Sequence, residues 1–183
     1  MTSLLASLRL TVATMAICVV GYSAAVWAFA QAVTPETANG SLITNAEGQV
    51  IGSSQIAQGF SQPGYFWPRP SAVDYNAAGA AGSNKSPTSE DLKTRGAEIV
   101  EAYGATAENP LPADLVAMSG AGLDPHISEA GALYQVARVA EARGLQPAIL
   151  ENLVRSHSEA PGGFLMSGKI VNVLELNLAL DAL

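Results

Sequence analysis

Cysteine and histidine are nearly absent from this 183-residue chain, and their scarcity excludes several kinds of site. Cys18 is the single cysteine, so no disulfide can form within the chain. The two histidines are His126 and His157, and there is no CxxC or HExxH motif. A zinc centre would need both histidines and several carboxylates brought together by the fold, and nothing in their spacing favours this. We therefore predict no metal-binding residues.

Positive charge is also scarce, with nine Lys and Arg residues against sixteen Asp and Glu residues. This acidic balance argues against binding to nucleic acid or to anionic lipid headgroups. The stretch GAAGSNKS, residues 79–86, is the nearest approach to a phosphate-binding loop, but Asn84 stands before the lysine where such a loop has glycine. The GxSxG motif of serine hydrolases is absent. A Ser-His-Asp triad is not excluded by this, because such a triad is defined by its geometry and not by the spacing of its residues in the sequence. The sequence predicts no catalytic or cofactor-binding residue.

The chain does contain one long apolar run, from Leu10 to Val33. As a helix it would be about 36 Å long, enough to cross a hydrocarbon core of about 30 Å. A cleaved signal peptide is the main alternative, because Ala28-Phe29-Ala30 fits its cleavage pattern, and a buried core helix is another. The run is longer than a usual signal-peptide core, so we favour an uncleaved membrane anchor.

Charge around this run predicts its orientation. Arg9 precedes it and Glu36 follows it, so the positive-inside rule places most of the chain outside the cytoplasm. We predict a cytoplasmic N-terminus (1–9), a transmembrane helix (10–33), a linker (34–40) and a soluble extracytoplasmic domain (41–183). This corresponds to a single-pass membrane protein.

Small residues recur within the predicted anchor at spacings of four, three and four: Gly21, Ala25, Ala28 and Ala32. Such a stripe lies on one helical face and lets another membrane helix approach closely. The alternative is that glycine and alanine are simply common in membrane helices. We predict partner packing at these four residues.

The remaining sequence predicts a mixed α+β domain without a regular βαβ alternation. Its predicted elements are a hairpin at Leu42–Ile43 and Val50–Ile51, a long loop from Gln62 to Pro87, a helix from Thr88 or Ser89 to Gly104, a short strand within Leu111–Gly120, helices at Ser128–Arg143 and Pro147–Ser156, and a half-buried strand at Ile170–Asp181.

The triplet Asp124-Pro125-His126 allows a functional and a structural interpretation. In the first, Asp124 orients His126 as a general base. In the second, Asp124 forms an Asx turn, Ser128 caps a helix that Gly144 ends, and only His126 lacks a structural role. We favour the second, with a helix face formed by Leu133, Val136, Ala137 and Ala140.

The segment YFWPRPSA, residues 65–72, combines residue types that dominate protein interfaces. The alternative is a core loop in which the rings fill space and the prolines stiffen the chain. We name Tyr65, Phe66, Trp67, Arg69 and His126 as candidates for partner contact.

These segments together resemble one family. YFWPRPSAVDY, GSN, PADLV, SGAGLDPHIS, YQVARVAEARG and NVLELNLALD follow an N-terminal membrane helix in that order, as in KdpC, the C-subunit family of the Kdp potassium-transporting P-type ATPases. The chain departs from the usual family pattern at Lys85-Ser86 and at residues 166–169, both in predicted loops.

The resemblance implies a non-catalytic subunit of a complex in the bacterial inner membrane. Its partners there are a KdpA-like potassium-binding subunit, a KdpB-like ATPase subunit and a KdpF-like small subunit. The resemblance also implies a catalytic chaperone role, in which the chain raises the ATP affinity of the KdpB-like subunit, while ATP and potassium are handled by the complex. A domain outside the membrane cannot touch cytoplasmic ATP, so a clamp or gate at the outer mouth of the KdpA-like subunit is an alternative. A secreted enzyme and an anchored binding module acting alone are further alternatives.

Overall fold

A computed structural model describes residues 2–165 and 167–183. It divides into two compact units, Met1–Val50 and Ile51–Leu183. Met1 lies outside the described residues, as does Met166, the first residue of the second predicted departure from the family pattern.

The first unit is dominated by one apolar helix. It comprises α1 (Thr2–Met15), a π-helical turn (Ala16–Gly21) and α2 (Tyr22–Val33). Within the described part of the chain, Ser3–Val33 is the one helix long and apolar enough to cross a membrane, and none of its most apolar window is buried in the protein. The helix ends at Val33, because Thr34 leaves helical geometry at φ −138°.

Short elements follow this helix. The predicted polar linker contains a single helical turn, α3 (Pro35–Ala38), with proline at a favourable first position. The predicted hairpin is confirmed as β1 (Leu42–Thr44) and β2 (Val50–Ser53). Its turn is closed by Asn45, whose backbone N–H donates to the Gln49 carbonyl and whose side chain accepts from the Gln49 N–H.

The second unit packs helices against one small antiparallel sheet, which confirms the predicted α+β class. Its elements, in chain order, are α4 (Glu90–Ala102), α5 (Ala113–Val116), β3 (His126–Ser128), α6 (Glu129–Arg143), α7 (Pro147–Ser156), β4 (Ser158–Glu159), a 3₁₀ turn (Gly163–Leu165), β5 (Ile170–Asn172) and α8 (Val173–Asp181). The strand order in the sheet is β3-β5-β4, with His126 opposite Asn172 and Ser158 opposite Val171.

The central helix α6 begins and ends as predicted. The Ser128 hydroxyl accepts the N–H of Gly131 at 2.8 Å, and Gly144 takes the left-handed conformation at φ 66°. The predicted buried face is only partly correct, because Val136 and Ala140 are buried but Ala137 is exposed and Leu133 half-buried. The buried face also carries Gly131, Ala132, Gln135 and Val139, so it is rotated from the predicted one.

Two predicted strands are wrong. Residues 113–116 form the short helix α5, and most of Ile170–Asp181 forms α8 after only three residues of strand. The cause at the second site is Asn172, whose side chain accepts the N–H groups of Leu174 and Glu175 and so caps a helix. Leucines at every second position suggested a strand, but α8 buries residues at helical spacing: Val173, Leu174, Leu176, Asn177 and Leu180.

Two amide side chains hold the aromatic-proline segment on the core. Asn177 accepts the backbone N–H of Phe66 at 2.8 Å and donates to its carbonyl at 3.0 Å. Gln135 does the same for Trp67, at 2.7 and 3.1 Å. Both amides are at most 2% exposed. They supply the backbone pairing that a neighbouring strand would otherwise provide.

The Asn177 contact gives a first prediction. Asn177→Leu keeps similar volume but leaves two backbone groups of buried Phe66 without partners, so the free energy of unfolding should fall by about 3 kcal/mol. Denaturant unfolding of the full chain in detergent, followed by tryptophan fluorescence, measures this change.

Glu175→Ala is the matched control on the same helix, because Glu175 is exposed. It should change the free energy of unfolding by less than about 0.5 kcal/mol. Equal stabilities for the two variants would contradict the proposed role of the amide.

Candidate functional site

The Asp124-Pro125-His126 triplet forms a turn that leads into β3. The Asp124 Oδ1 atom accepts the backbone N–H of His126 at 3.0 Å, which is the Asx turn of the structural interpretation. The His126 Nδ1 atom lies 3.4 Å from the same oxygen. The turn therefore fixes the backbone and holds the imidazole beside a carboxylate.

Arg69 joins this turn from a distant part of the chain. Its Nη1 atom lies 3.0 Å from Asp124 Oδ2, and its Nη2 atom donates to the Met118 carbonyl. Hydrogen bonds from the His126 side chain and from Arg69 hold the pKa of the Asp124 carboxyl below its usual range. Arg69 is thus engaged within its own chain.

His126 opens onto a polar cleft of about 230 Å³ that also includes Arg69, Asp114 and Asp124. Its side chain is 30% exposed, so it is neither in the core nor fully at the surface. Ser128 also lines this cleft, but its hydroxyl donates to Asp114 and accepts from the Gly131 N–H. Both interactions serve the start of α6, so the cleft acts as a structural junction.

A second, apolar groove of about 250 Å³ lies over α4. Trp67 and Tyr103 meet edge to face with their ring centroids 5.2 Å apart, and Pro68 and Pro70 contribute to the walls. The Arg138 guanidinium stacks 3.8 Å from the Trp67 ring centroid. Burial raises the pKa of the Tyr103 phenol, so it stays neutral. The groove can accept apolar or aromatic groups.

The structure separates the candidate contact residues that the sequence grouped. Phe66 is fully buried in the core, in agreement with the alternative that the rings fill space. Its ring is therefore not available to a partner in this conformation. Tyr65 donates to Asp181 and lies under Arg143, Trp67 lines the groove, and Arg69 lies with His126 in the polar cleft.

Sequence reasoning missed the partners that complete these sites. The sequence places Tyr103 within the predicted helix that ends at Gly104, and it singles out neither Gln135 nor Arg138. Trp67 and Gln135 are 68 residues apart, and no motif or period connects them. Only the fold brings these residues together.

The predicted packing stripe lies in the first unit. Gly21, Ala25, Ala28 and Ala32 are all exposed on the apolar helix, with Gly21 at the end of the π-helical turn and the others in α2. Among residues 2–165 and 167–183, no three His, Cys, Asp or Glu side chains come together as they would to hold a metal ion.

Comparison with known proteins places this architecture in a family. The family profile described as "KdpC: K+-transporting ATPase, c chain" matches residues 4–182. A relative from Parvibaculum lavamentivorans, named Potassium-transporting ATPase KdpC subunit, is 68% identical over 181 residues, which cover 99% of this chain and 97% of the relative.

Two further relatives carry the same name. One from Cereibacter sphaeroides is 50% identical over 163 residues, covering 89% of this chain and 88% of the relative. One from Geobacter sulfurreducens is 50% identical over 167 residues, covering 88% of each chain. With the apolar N-terminal helix and the matched length, these similarities show that the chain belongs to the KdpC family of potassium-transporting ATPase subunits.

Proposed function

We propose that this chain is an assembly subunit that contacts its partner chains both within the membrane and outside it. As a KdpC-family chain it is a subunit of a potassium-transporting ATPase rather than an enzyme on its own. The observation that carries the proposal is that an exposed apolar helix, with none of its most apolar window buried, and a unit with its own core occur in one chain. The first suits a membrane and the second suits a partner's surface.

The membrane contact is proposed to use the face formed by Gly21, Ala25, Ala28 and Ala32. Since lipid is as apolar as the helix, association there depends on close packing, which small residues permit. The partners are a KdpA-like potassium-binding subunit, a KdpB-like ATPase subunit and a KdpF-like small subunit. The complex lies in the bacterial inner membrane.

The second unit is proposed to lie on the extracytoplasmic side. Arg9, which directly precedes the uncharged run Leu10–Val33, and Glu36 after it support this orientation. ATP is then handled on the opposite side of the membrane, and this chain binds neither ATP nor potassium itself.

A catalytic chaperone effect on the KdpB-like subunit is therefore proposed to be indirect. If the chain stabilises the form of the complex that binds ATP well, it raises ATP affinity without contacting nucleotide. Linkage then requires ATP to tighten the binding of this chain by the same factor.

The apolar groove favours a second candidate function, a clamp at the outer mouth of the KdpA-like subunit. Trp67 is only half-buried there, although aromatic rings are costly to leave in water. A partner segment seated in the groove would cover the ring and hold the mouth in one conformation.

The proposed orientation predicts a labelling pattern. Ala107→Cys places a thiol on an exposed loop, and a membrane-impermeant maleimide added to intact cells should label it. The native Cys18, within the apolar helix, should stay unlabelled and gives the background.

Labelling of the Ala107→Cys variant only after cell lysis would contradict the extracytoplasmic placement. Intact-mass measurement of the purified chain should retain residues 1–30. Loss of these residues would favour the secreted alternative.

The proposed membrane contact predicts that Ala28→Leu weakens assembly. The larger side chain would separate the packed helices, so we expect co-purification of the other subunits in mild detergent to fall about tenfold. Ala30→Leu is the matched control, because Ala30 lies on the opposite face of α2. Equal retention of both variants would count against the stripe as a contact.

The clamp predicts that Trp67→Ala raises the potassium concentration for half-maximal ATP hydrolysis by about tenfold in the assembled complex, because a central aromatic contact is lost. Deletion of residues 36–183, with the anchor kept, should produce at least the same change. Unchanged potassium affinity in an intact complex after this deletion would rule out the clamp.

A further inference from the structure

Arg95 is the basic residue of the second unit that lacks a partner within the described part of the chain. The other seven basic side chains each have an acidic partner or, for Arg138, an aromatic ring and carbonyl groups. Their contacts are Arg69–Asp124, Lys85–Asp91, Lys93–Glu90, Arg143–Asp181, Arg155–Glu129, Lys169–Glu129, and Arg138 with Trp67, Pro63 and Tyr65.

The Arg95 side chain lines a cavity of about 460 Å³ between α4 and α5. Its Nε atom is buried and has no hydrogen-bond partner among the described residues. The same is true of Arg138 Nε, but the other guanidinium nitrogens of Arg138 donate to carbonyl and amide oxygens. A buried donor on a charged group without an acceptor is costly, so natural structures rarely leave one in this state. The cavity therefore holds a fixed positive charge whose hydrogen bonding is incomplete.

The acidic residues of the two surrounding helices do not neutralise this charge. Asp91 accepts from Lys85 at 2.6 Å, and Asp114 accepts from the Ser128 N–H and hydroxyl at 2.7 and 3.0 Å. Glu90 pairs with Lys93, and Glu98 and Glu101 are exposed. Arg95 therefore has no acidic partner within the described part of this chain.

The rest of the cavity lining indicates what kind of group fits. Apart from Arg95 and Ser83, it consists of apolar side chains: Leu92, Ala113, Val116, Ala117 and Met118. A guanidinium presents a planar fork of donors that matches a carboxylate, and apolar walls suit methylene groups next to that carboxylate. Potassium is disfavoured, because the cavity presents positive charge and no carboxylate of its own.

The geometry points to a receptor for an acidic side chain of another subunit of the transporter, an Asp or Glu whose carboxylate pairs with Arg95. This inference rests on the proposed assembly function and adds a specific contact to it. Because the lining is largely apolar, the pair lies in less polar surroundings than an exposed one and sets the register of docking. The incoming carboxylate supplies the acidic partner that Arg95 lacks within the described part of this chain.

Charge reversal at Arg95 tests the contact in the detergent-purified complex. Arg95→Glu should lower retention of this chain by about tenfold after a wash at physiological salt, because the incoming carboxylate meets a like charge. Lys93→Glu is the matched control: it makes the same charge change on the same helix, at a side chain that is 79% exposed. Its retention should stay within about twofold of the unmodified chain.

A neutral variant separates docking from folding. Arg95→Met removes the unsatisfied donor but keeps the packed stem, so the isolated chain in detergent should unfold at an equal or higher temperature. The same variant should still be retained several-fold less well in the complex. Loss of both thermal stability and retention would assign Arg95 a structural role and overturn the inference.

Three further outcomes would also overturn it. Equal retention of the Arg95→Glu and Lys93→Glu variants would show that no acidic group docks there. Arg95-dependent binding of sodium butyrate to the isolated chain, with retention in the complex unchanged, would assign the cavity to a free carboxylic acid. If the unmodified chain itself fails to co-purify with other subunits, the assembly function fails, and the inference fails with it.

Discussion

The second unit depends on two side-chain amides that pair with a stretch of irregular backbone. Asn177 from α8 and Gln135 from α6 satisfy both polar groups of Phe66 and of Trp67, in positions where water cannot. This pairing places the Phe66 ring in the core and the Trp67 ring in the groove. It also directs the following residues towards the turn at Asp124, where Arg69 is bound. Two helices thus position a segment that has no regular structure of its own.

Two of the scarce basic residues hold the same segment. Arg138 donates to the carbonyls of Pro63 and Tyr65, and Arg143 donates to that of Gly64 while pairing with Asp181. A loop with many prolines has few N–H groups and many free carbonyls, and arginine supplies several donors in a fixed arrangement. Two arginines of the unit are therefore committed to holding its own backbone.

Local signals predicted much of the fold, and they failed where two patterns coincide. The limits of α6 and α7 follow from Ser128, Gly144 and Pro147, because a cap involves atoms only a few residues apart. The leucines of α8 alternate in sequence, which is typical of a strand. The element is buried on most sides, however, so a helix can bury the same leucines, and the spacing alone does not distinguish the two. Asn172 decides between them by capping, and it also donates to the Ser54 carbonyl far away in sequence. The candidate contact residues were grouped because they are neighbours in the sequence. In the fold, Tyr65 contacts Asp181, Phe66 lies in the core, Trp67 lines the apolar groove and Arg69 lies in the polar cleft.

The sequence by itself determined the apolar helix, the helix caps, the acidic character and the membership in the KdpC family. Each of these depends on composition or on residues close together in the chain. Tertiary structure alone decided that Asn177 pairs with Phe66 across 111 positions, that Arg69 reaches Asp124 across 55, and that the Nε atom of Arg95 has no hydrogen-bond partner among the described residues. The physical reason is that such pairs depend on where helices and loops meet in space, and a contact between distant residues has no period or motif that marks it in the chain.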